Sequence, residues 1–287
     1  MTVKRLEQNM NQTMHIGFIG GGNMASAILC GLKKHAFNMS SICVVEPDAD
    51  KRSMLAEQFG VQTAAHISDM PSSAAQVLVL AVKPQQMQAV CAQLNGKLGA
   101  PLKEHLIISI AAGIRTTDLG RWLNGHQAIV RAMPNTPAQI QAGVSALYAM
   151  PSVNAAQREQ ASSILQAVGS SLWLDNEGKM DAVTAISGSG PAYVFYLIEA
   201  LQDAAIELGL SPEEAKLLAL ETFTGASLLA KQSKTDIQAL RAQVTSKGGT
   251  TEQGILSLES AHIKTIILAA ATAAAKQSKA LGDELAA

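Results

Sequence analysis

Cysteine, aromatic residues, paired histidines and long apolar runs are all scarce in this 287-residue sequence. The three cysteines, Cys30, Cys43 and Cys91, lie far apart and form no CxxC pair, and their odd number argues for reduced thiols in a cytosolic protein. Cys91, on an apolar helix face, is read as a small core residue. The six histidines, His15, His35, His66, His105, His126 and His262, never pair at metal-ligand spacing, so no metal site is expected. The longest strongly apolar run, 266–271 extended by 273–275, is far short of the roughly 20 residues that span a bilayer, and reads as a buried Ala-rich helix. Residues 1–13 lack the apolar core of a signal peptide and are expected to form a flexible extension before an alternative start at Met14. Lys and Arg number 22 against 23 Asp and Glu, a balance that excludes a basic sheath for nucleic acid.

What is present is a globular composition: 48% hydrophobic, 16% charged and 3% aromatic, which excludes a disordered chain. A chain of this length divides on average into about two domains and buries about three-quarters of its unfolded surface, so no disulfide or metal staple is required. From Met14, short β-branched runs at 14–19, 42–45, 77–82, 106–110, 128–131 and 171–174 alternate with amphipathic stretches at 23–35, 48–59, 85–94 and 154–168. That alternation predicts an α/β fold, a Rossmann-type doubly wound parallel sheet, over 14–175. After Asp175 strand-like runs stop. Helix starts become explicit at Ser189-Gly-Pro191 and at the capping boxes of Ser211 with Glu214 and Thr250 with Gln253, predicting an all-helical domain over 176–287. Its long stretches, 192–208 and 263–281, carry small apolar residues on several faces, which suggests a partner helix from another subunit.

The chemical signal begins where the first strand runs into Gly20, Gly21, Gly22, Asn23, Met24 and Ala25, a G-x-G-x-x-A turn. Gly20 makes the tight turn, Gly22 lets backbone approach a pyrophosphate, and Ala25 lets helix pack closely on strand, so the helix N-terminus faces the anion. Glu46 closes the second strand, where an acidic residue usually holds the ribose 2′-hydroxyl of NAD. Lys51 and Arg52 follow closely enough to reach the 2′-phosphate of NADP, or to form a solvated helix face. Two further strand ends, Ala81, Val82, Lys83 and Pro84, and Ala111, Ala112 and Gly113, open on the same crevice; small residues there leave room for a nicotinamide, and Lys83 suits a phosphate or ribose or else the surface. In the helical half, Ser246, Lys247, Gly248, Gly249, Thr250 and Thr251 offer consecutive amides, hydroxyls and a helix start, donors enough for a small carboxylate.

Together with Arg131-Ala-Met-Pro-Asn-Thr-Pro137 and Ser187-Gly-Ser-Gly-Pro-Ala-Tyr193, these motifs resemble pyrroline-5-carboxylate reductase, in the family's order from Met14 to the C-terminal helices. The resemblance implies NADPH- or NADH-dependent reduction of 1-pyrroline-5-carboxylate to L-proline, in homodimers joined through the helical domain and often assembled into decamers. It implies further that the substrate carboxylate lies on Ser246, Gly248, Gly249, Thr250 and Thr251, that catalytic Thr251 faces the ring nitrogen, and that Glu177 lies close to the substrate. Two positions depart from the family pattern: Lys247 stands where Pro is usual, and Glu46 where a polar or basic residue is usual. The chemistry agrees with the missing histidine relay, because hydride addition to a protonated imine discharges a cation and creates no oxyanion. A β-hydroxyacid dehydrogenase would need a catalytic lysine after the Ser187–Tyr193 motif, and none occurs before Lys216. A non-catalytic dinucleotide sensor would need the first turn but not the threonine-rich loop.

Overall fold

A computed structural model describes residues 13–71 and 76–286. The expected N-terminal extension therefore lies, apart from Thr13, outside the described residues. Contacts divide the chain into two compact units: the chain up to Gly188 together with the segment from Ala274 on, and Ser189–Ala273 between them.

The first unit is built on one eight-stranded sheet in the order β3-β2-β1-β4-β5-β6-β7-β8. Its strands are β1 (Ile16–Ile19), β2 (Ile42–Val45), β3 (Gln62–Ala64), β4 (Val77–Leu80), β5 (Leu106–Ser109), β6 (Ile129–Met133), β7 (Gly143–Ala149) and β8 (Gly169–Trp173). Every residue of β1, β2, β4 and β5 is buried, as parallel strands covered on both faces require. The crossover helices are α1 (Asn23–Lys34), α2 (Ala49–Phe59), α3 (Met87–Leu98), α4 (Thr116–Trp122) and α5 (Ala155–Gln166). Ile28, Leu29 and Leu32 of α1 and Met87, Cys91 and Leu94 of α3 enter two separate apolar clusters.

Two strands were not legible in the alternating pattern. β3 has only three residues, and β7 runs antiparallel to β6, so the sheet is doubly wound but not wholly parallel. The boundary also shifts from 175 to Gly188 by contact. Residues between them are tied to the sheet: Glu177 bonds Thr116 and Arg131, Asn135 donates to the Ser187 carbonyl, and a Cβ on Gly188 would come within 2.6 Å of Met133 Cε. This stretch forms the short α6 (Met180–Val183) and one π-helical turn, Thr184–Gly188.

The second unit contains α7 (Gly190–Glu207), α8 (Pro212–Gln232), α9 (Ile237–Gln243), α10 (Thr250–Ser260) and the start of α11 (Ile263–Ala286). The capping box of Ser211 and Glu214 forms in full at α8. The one expected at Thr250 does not: Gly249 is the cap residue and supplies no side chain, because positive φ at Gly248 (+73°) moves the helix start one residue earlier. The Ala-rich run is helical but not buried within the chain, with Ile266, Ile267 and Leu268 44–66% exposed. Among the described residues, no single helix is long and apolar enough to cross a membrane.

Candidate functional site

The β1–α1 turn has the geometry its glycines allow. Gly20 sits at φ +100°, and a Cβ there would lie 2.7 Å from the Ala81 carbonyl oxygen. Gly21 is equally closed, 2.6 Å from Leu55 Cδ1, whereas a Cβ on Gly22 would project into space with nothing within 4 Å. That open side is where backbone can approach a ligand. Helix α1 begins there with no side-chain cap and no acidic residue in its first turn. By contrast α2 is capped by Asp48 and α5 by Asn154 with Gln157. A helix N-terminus left bare beside a glycine turn presents amides and a positive dipole end, which fits a dinucleotide pyrophosphate.

A cleft of about 620 Å³ opens at the carboxyl ends of β1, β2, β3 and β4. It brings together Gly20, Gly21, Gly22, Glu46, Lys51, Ala81, Val82 and Lys83. Lys83 is exposed there. Ala25 instead is buried, 1% exposed, in the apolar cluster that also holds Ile16 and Phe18 of β1. Asn23, Met24, Pro84, Ala111, Ala112 and Gly113 do not line this cleft. Gly113, at φ +80°, lies against Gly282 of α11, whose Cα is 3.5 Å from where a Cβ would stand. Arg115 pairs with Asp283 and Arg121 donates to the Ala286 carbonyl, so the end of α11 is held on the β5–α4 segment.

The cleft also contains His66 and Ile67, along with Gln85, Gln86 and Gln93. His66 and Ile67 follow β3, so the signal that would have found them was the strand that was too short to read. Glu46 is 8% exposed, and both its carboxylate oxygens accept backbone N–H bonds: Oε2 from Gly21 at 3.0 Å and Oε1 from Asp48 at 3.1 Å. Arg52 turns back on its own loop, donating to the carbonyls of Glu46 (2.9 Å) and Pro47 (2.8 Å).

Glu177 accepts from the Thr116 amide at 2.8 Å, the Thr116 hydroxyl at 2.6 Å and Arg131 Nη1 at 3.1 Å. The Arg131 side chain is 6% exposed, so this is a nearly buried ion pair. Asn135 completes the bracket, donating to the Ser187 carbonyl and accepting from the Val144 amide. The Arg131–Pro137 motif thus holds both Glu177 and the π-helical turn of the Ser187–Tyr193 motif.

In the second unit, the 246–251 loop is exposed around its glycines. Two of its amides are already used: Gly248 N–H donates to Glu252 Oε2 at 2.7 Å and Gly249 N–H to the Ser246 carbonyl at 3.0 Å. Thr245 is spent on the Arg241 carbonyl. Donors that remain include the hydroxyls of Ser246, Thr250 and Thr251, the exposed Lys247 ammonium and the first-turn amides of α10, which have no partner within their helix. Among the described residues no three His, Cys, Asp or Glu side chains gather as a metal site.

Residues 177–281 match the family described as pyrroline-5-carboxylate reductase dimerisation, and residues 15–113 match the one described as NADP oxidoreductase, coenzyme F420-dependent. The chain is 44% identical over 273 residues to a pyrroline-5-carboxylate reductase from Pseudomonas aeruginosa, covering 95% of this chain and 98% of that one. A solved pyrroline-5-carboxylate reductase from Coxiella burnetii is similar with a TM-score of 0.89 and 42% identity, over 94% of this chain and 99% of the other. A Plasmodium falciparum pyrroline carboxylate reductase with NADP bound is similar with a TM-score of 0.81 and 30% identity, over 94% and 99% of the two chains.

Proposed function

We propose a division of labour for this chain, which belongs to the pyrroline-5-carboxylate reductase family. Its reaction is the NAD(P)H-dependent reduction of 1-pyrroline-5-carboxylate to L-proline. The single observation that carries this reading is a 44% identity running through both units of the chain.

When bound, the reduced nicotinamide supplies the hydride. In our reading the amide of Gly22, with those of Asn23, Met24 and Ala25 at the bare start of α1, holds the pyrophosphate, while Gly20 and Gly21, whose amides are bonded to the Val45 carbonyl and to Glu46, shape the turn. Glu46 takes the adenosine ribose, and Lys83, beside Ala81, Val82 and Pro84, takes a phosphate or the second ribose. Ala111, Ala112 and Gly113 leave room at the end of β5 for the nicotinamide.

The carboxylate of the substrate is assigned to Ser246, Gly248, Gly249 and Thr250. The amides in use at Gly248 and Gly249 favour the first turn of α10 over the preceding loop as its main donor. The Thr251 hydroxyl oxygen accepts the N–H of the protonated ring imine and orients the C=N bond. Glu177 stands near the substrate as a group whose orientation is fixed by Thr116 and Arg131. No acid–base relay is needed, because an iminium ion loses its charge as hydride arrives; holding two rings in reacting order supplies up to about 7–11 kcal/mol of the barrier.

Residues 176–287 form the homodimer in this proposal. Among the described residues, 25 large hydrophobic side chains are exposed, and 20 of them lie in Ser189–Ala273. Further assembly into decamers is supported by the family resemblance, and a cytoplasmic location by three free thiols and balanced charge. Mixing the protein with reduced nicotinamide and 1-pyrroline-5-carboxylate tests the activity. Cofactor oxidation matched mole for mole by proline supports it; oxidation absent here, with turnover of 3-hydroxyisobutyrate and the oxidised cofactor instead, overturns it.

A further inference from the structure

The second strand of the sheet ends in a carboxylate that the backbone holds in the dinucleotide cleft. Glu46 is 8% exposed, with Oε2 bonded to the Gly21 amide and Oε1 to the Asp48 amide. Each oxygen keeps a second lone pair for a hydroxyl donor. A Cβ on Gly21 would meet Leu55 and Glu46 itself, so the glycine is what lets the turn lie this close to the carboxylate. A phosphate dianion offers no proton to these lone pairs and meets a like charge fixed in place.

The basic residues nearby do not restore the balance. Arg52 is bonded to the carbonyls of Glu46 and Pro47, so its guanidinium braces the β2–α2 loop. Lys51 lines the cleft from the first turn of α2, next to the helix cap Asp48, whose carboxyl is held below the usual carboxylate range by the Lys51 amide and so stays ionised. Lys83 also lines the cleft but is assigned above to a phosphate or the second ribose, which leaves Lys51 to offset Glu46. We propose that Glu46 is the residue that sets cofactor choice in this chain, selecting NADH over NADPH by accepting the ribose 2′-hydroxyl and repelling a 2′-phosphate. The inference rests on the family reading above for the use of a nicotinamide, and goes beyond it in naming which one is preferred. Lys51 leaves NADPH usable but weaker.

Binding, read separately from turnover, decides the point. Calorimetric titration of the full chain with NADH, NADPH, 5′-AMP and 2′,5′-ADP should show each 2′-hydroxyl form binding at least about tenfold more tightly than its 2′-phosphate counterpart, a step of about 1.4 kcal/mol. Glu46→Gln keeps an oxygen for the Gly21 amide but removes the charge, and should move the NADH-to-NADPH ratio toward NADPH by about tenfold or more. Lys51→Ala should weaken NADPH and leave NADH nearly unchanged. Wild-type protein that binds NADPH as tightly as NADH, or a Glu46→Gln ratio equal to wild type, overturns the proposal. If the Gln variant fails to fold, the wild-type ratios for the four nucleotides decide alone. A clear ratio without oxidation by 1-pyrroline-5-carboxylate would count against the reaction while leaving the selectivity standing.

Discussion

Every residue of β1, β2, β4 and β5 is buried within the chain, whereas none of the 18 residues of α7 is, although α7 carries Val194, Phe195, Tyr196, Leu197 and Leu201. Both stretches are apolar. The strands find their partners through crossover helices in the same chain, and they read as continuous buried runs. The helical unit has apolar side chains on more faces than its own neighbours can cover, which marks a surface meant for another protein molecule. Hydrophobicity alone therefore does not tell where burial will come from; the surrounding topology does.

The largest expected effect breaks this contrast directly. Phe195, 66% exposed in the single chain, should tolerate Glu within about 0.5 kcal/mol if it faces water, but cost about 4–8 kcal/mol of association if it is an interface anchor. Light scattering of Phe195→Glu should show monomers at micromolar concentration while circular dichroism keeps the sheet signal. A variant as oligomeric as wild type would place Phe195 outside the interface.

The next effect lies wholly in the first unit. Arg131→Ala leaves Glu177 without its cation in a nearly buried setting and should lower unfolding stability by about 3–5 kcal/mol, read from a urea midpoint shift. Arg131→Lys should recover only part, because an ammonium lacks the guanidinium fork. Equal midpoints for all three proteins would make the pair energetically idle.

Thr251→Ala sharpens the comparison from the helical side. Losing a hydroxyl to a charged partner costs about 1.5–3 kcal/mol, so kcat/KM for 1-pyrroline-5-carboxylate should fall roughly 10- to 150-fold with cofactor affinity within about twofold. Thr251→Ser should restore most of it. Weakened cofactor binding with unchanged substrate kinetics would assign the loop to the dinucleotide instead. The smallest effect belongs to the α8 cap: Ser211→Ala removes one arm of a formed capping box and should cost about 1 kcal/mol, seen as a lower thermal midpoint. Thr250→Ala, where no such box exists, should cost less.

That last pair shows what the sequence could and could not reveal. Ser211 and Glu214 interact through local geometry, so spacing alone was enough. At Thr250 the same spacing failed because Gly248 adopts a left-handed turn and Glu252 reaches back to its amide. The glycine turn and Glu46 were legible because each closes a buried strand. β3 was not, being three residues long, and His66 was missed with it; the reversed direction of β7 is a tertiary property that no periodicity encodes. The boundary at Gly188 depends on pairs such as Glu177 with Arg131 and Asn135 with Ser187, partners 46 and 52 residues apart.

Sedimentation equilibrium of the unmodified protein, from nanomolar to micromolar, with activity followed in parallel, tests most directly whether the helical unit is completed by a second copy. A mass of twice 30.0 kDa or a higher even multiple at micromolar concentration, with activity per chain declining as dilution yields monomer, is the expected result. A 30.0 kDa species throughout, retaining full kcat/KM, would contradict it.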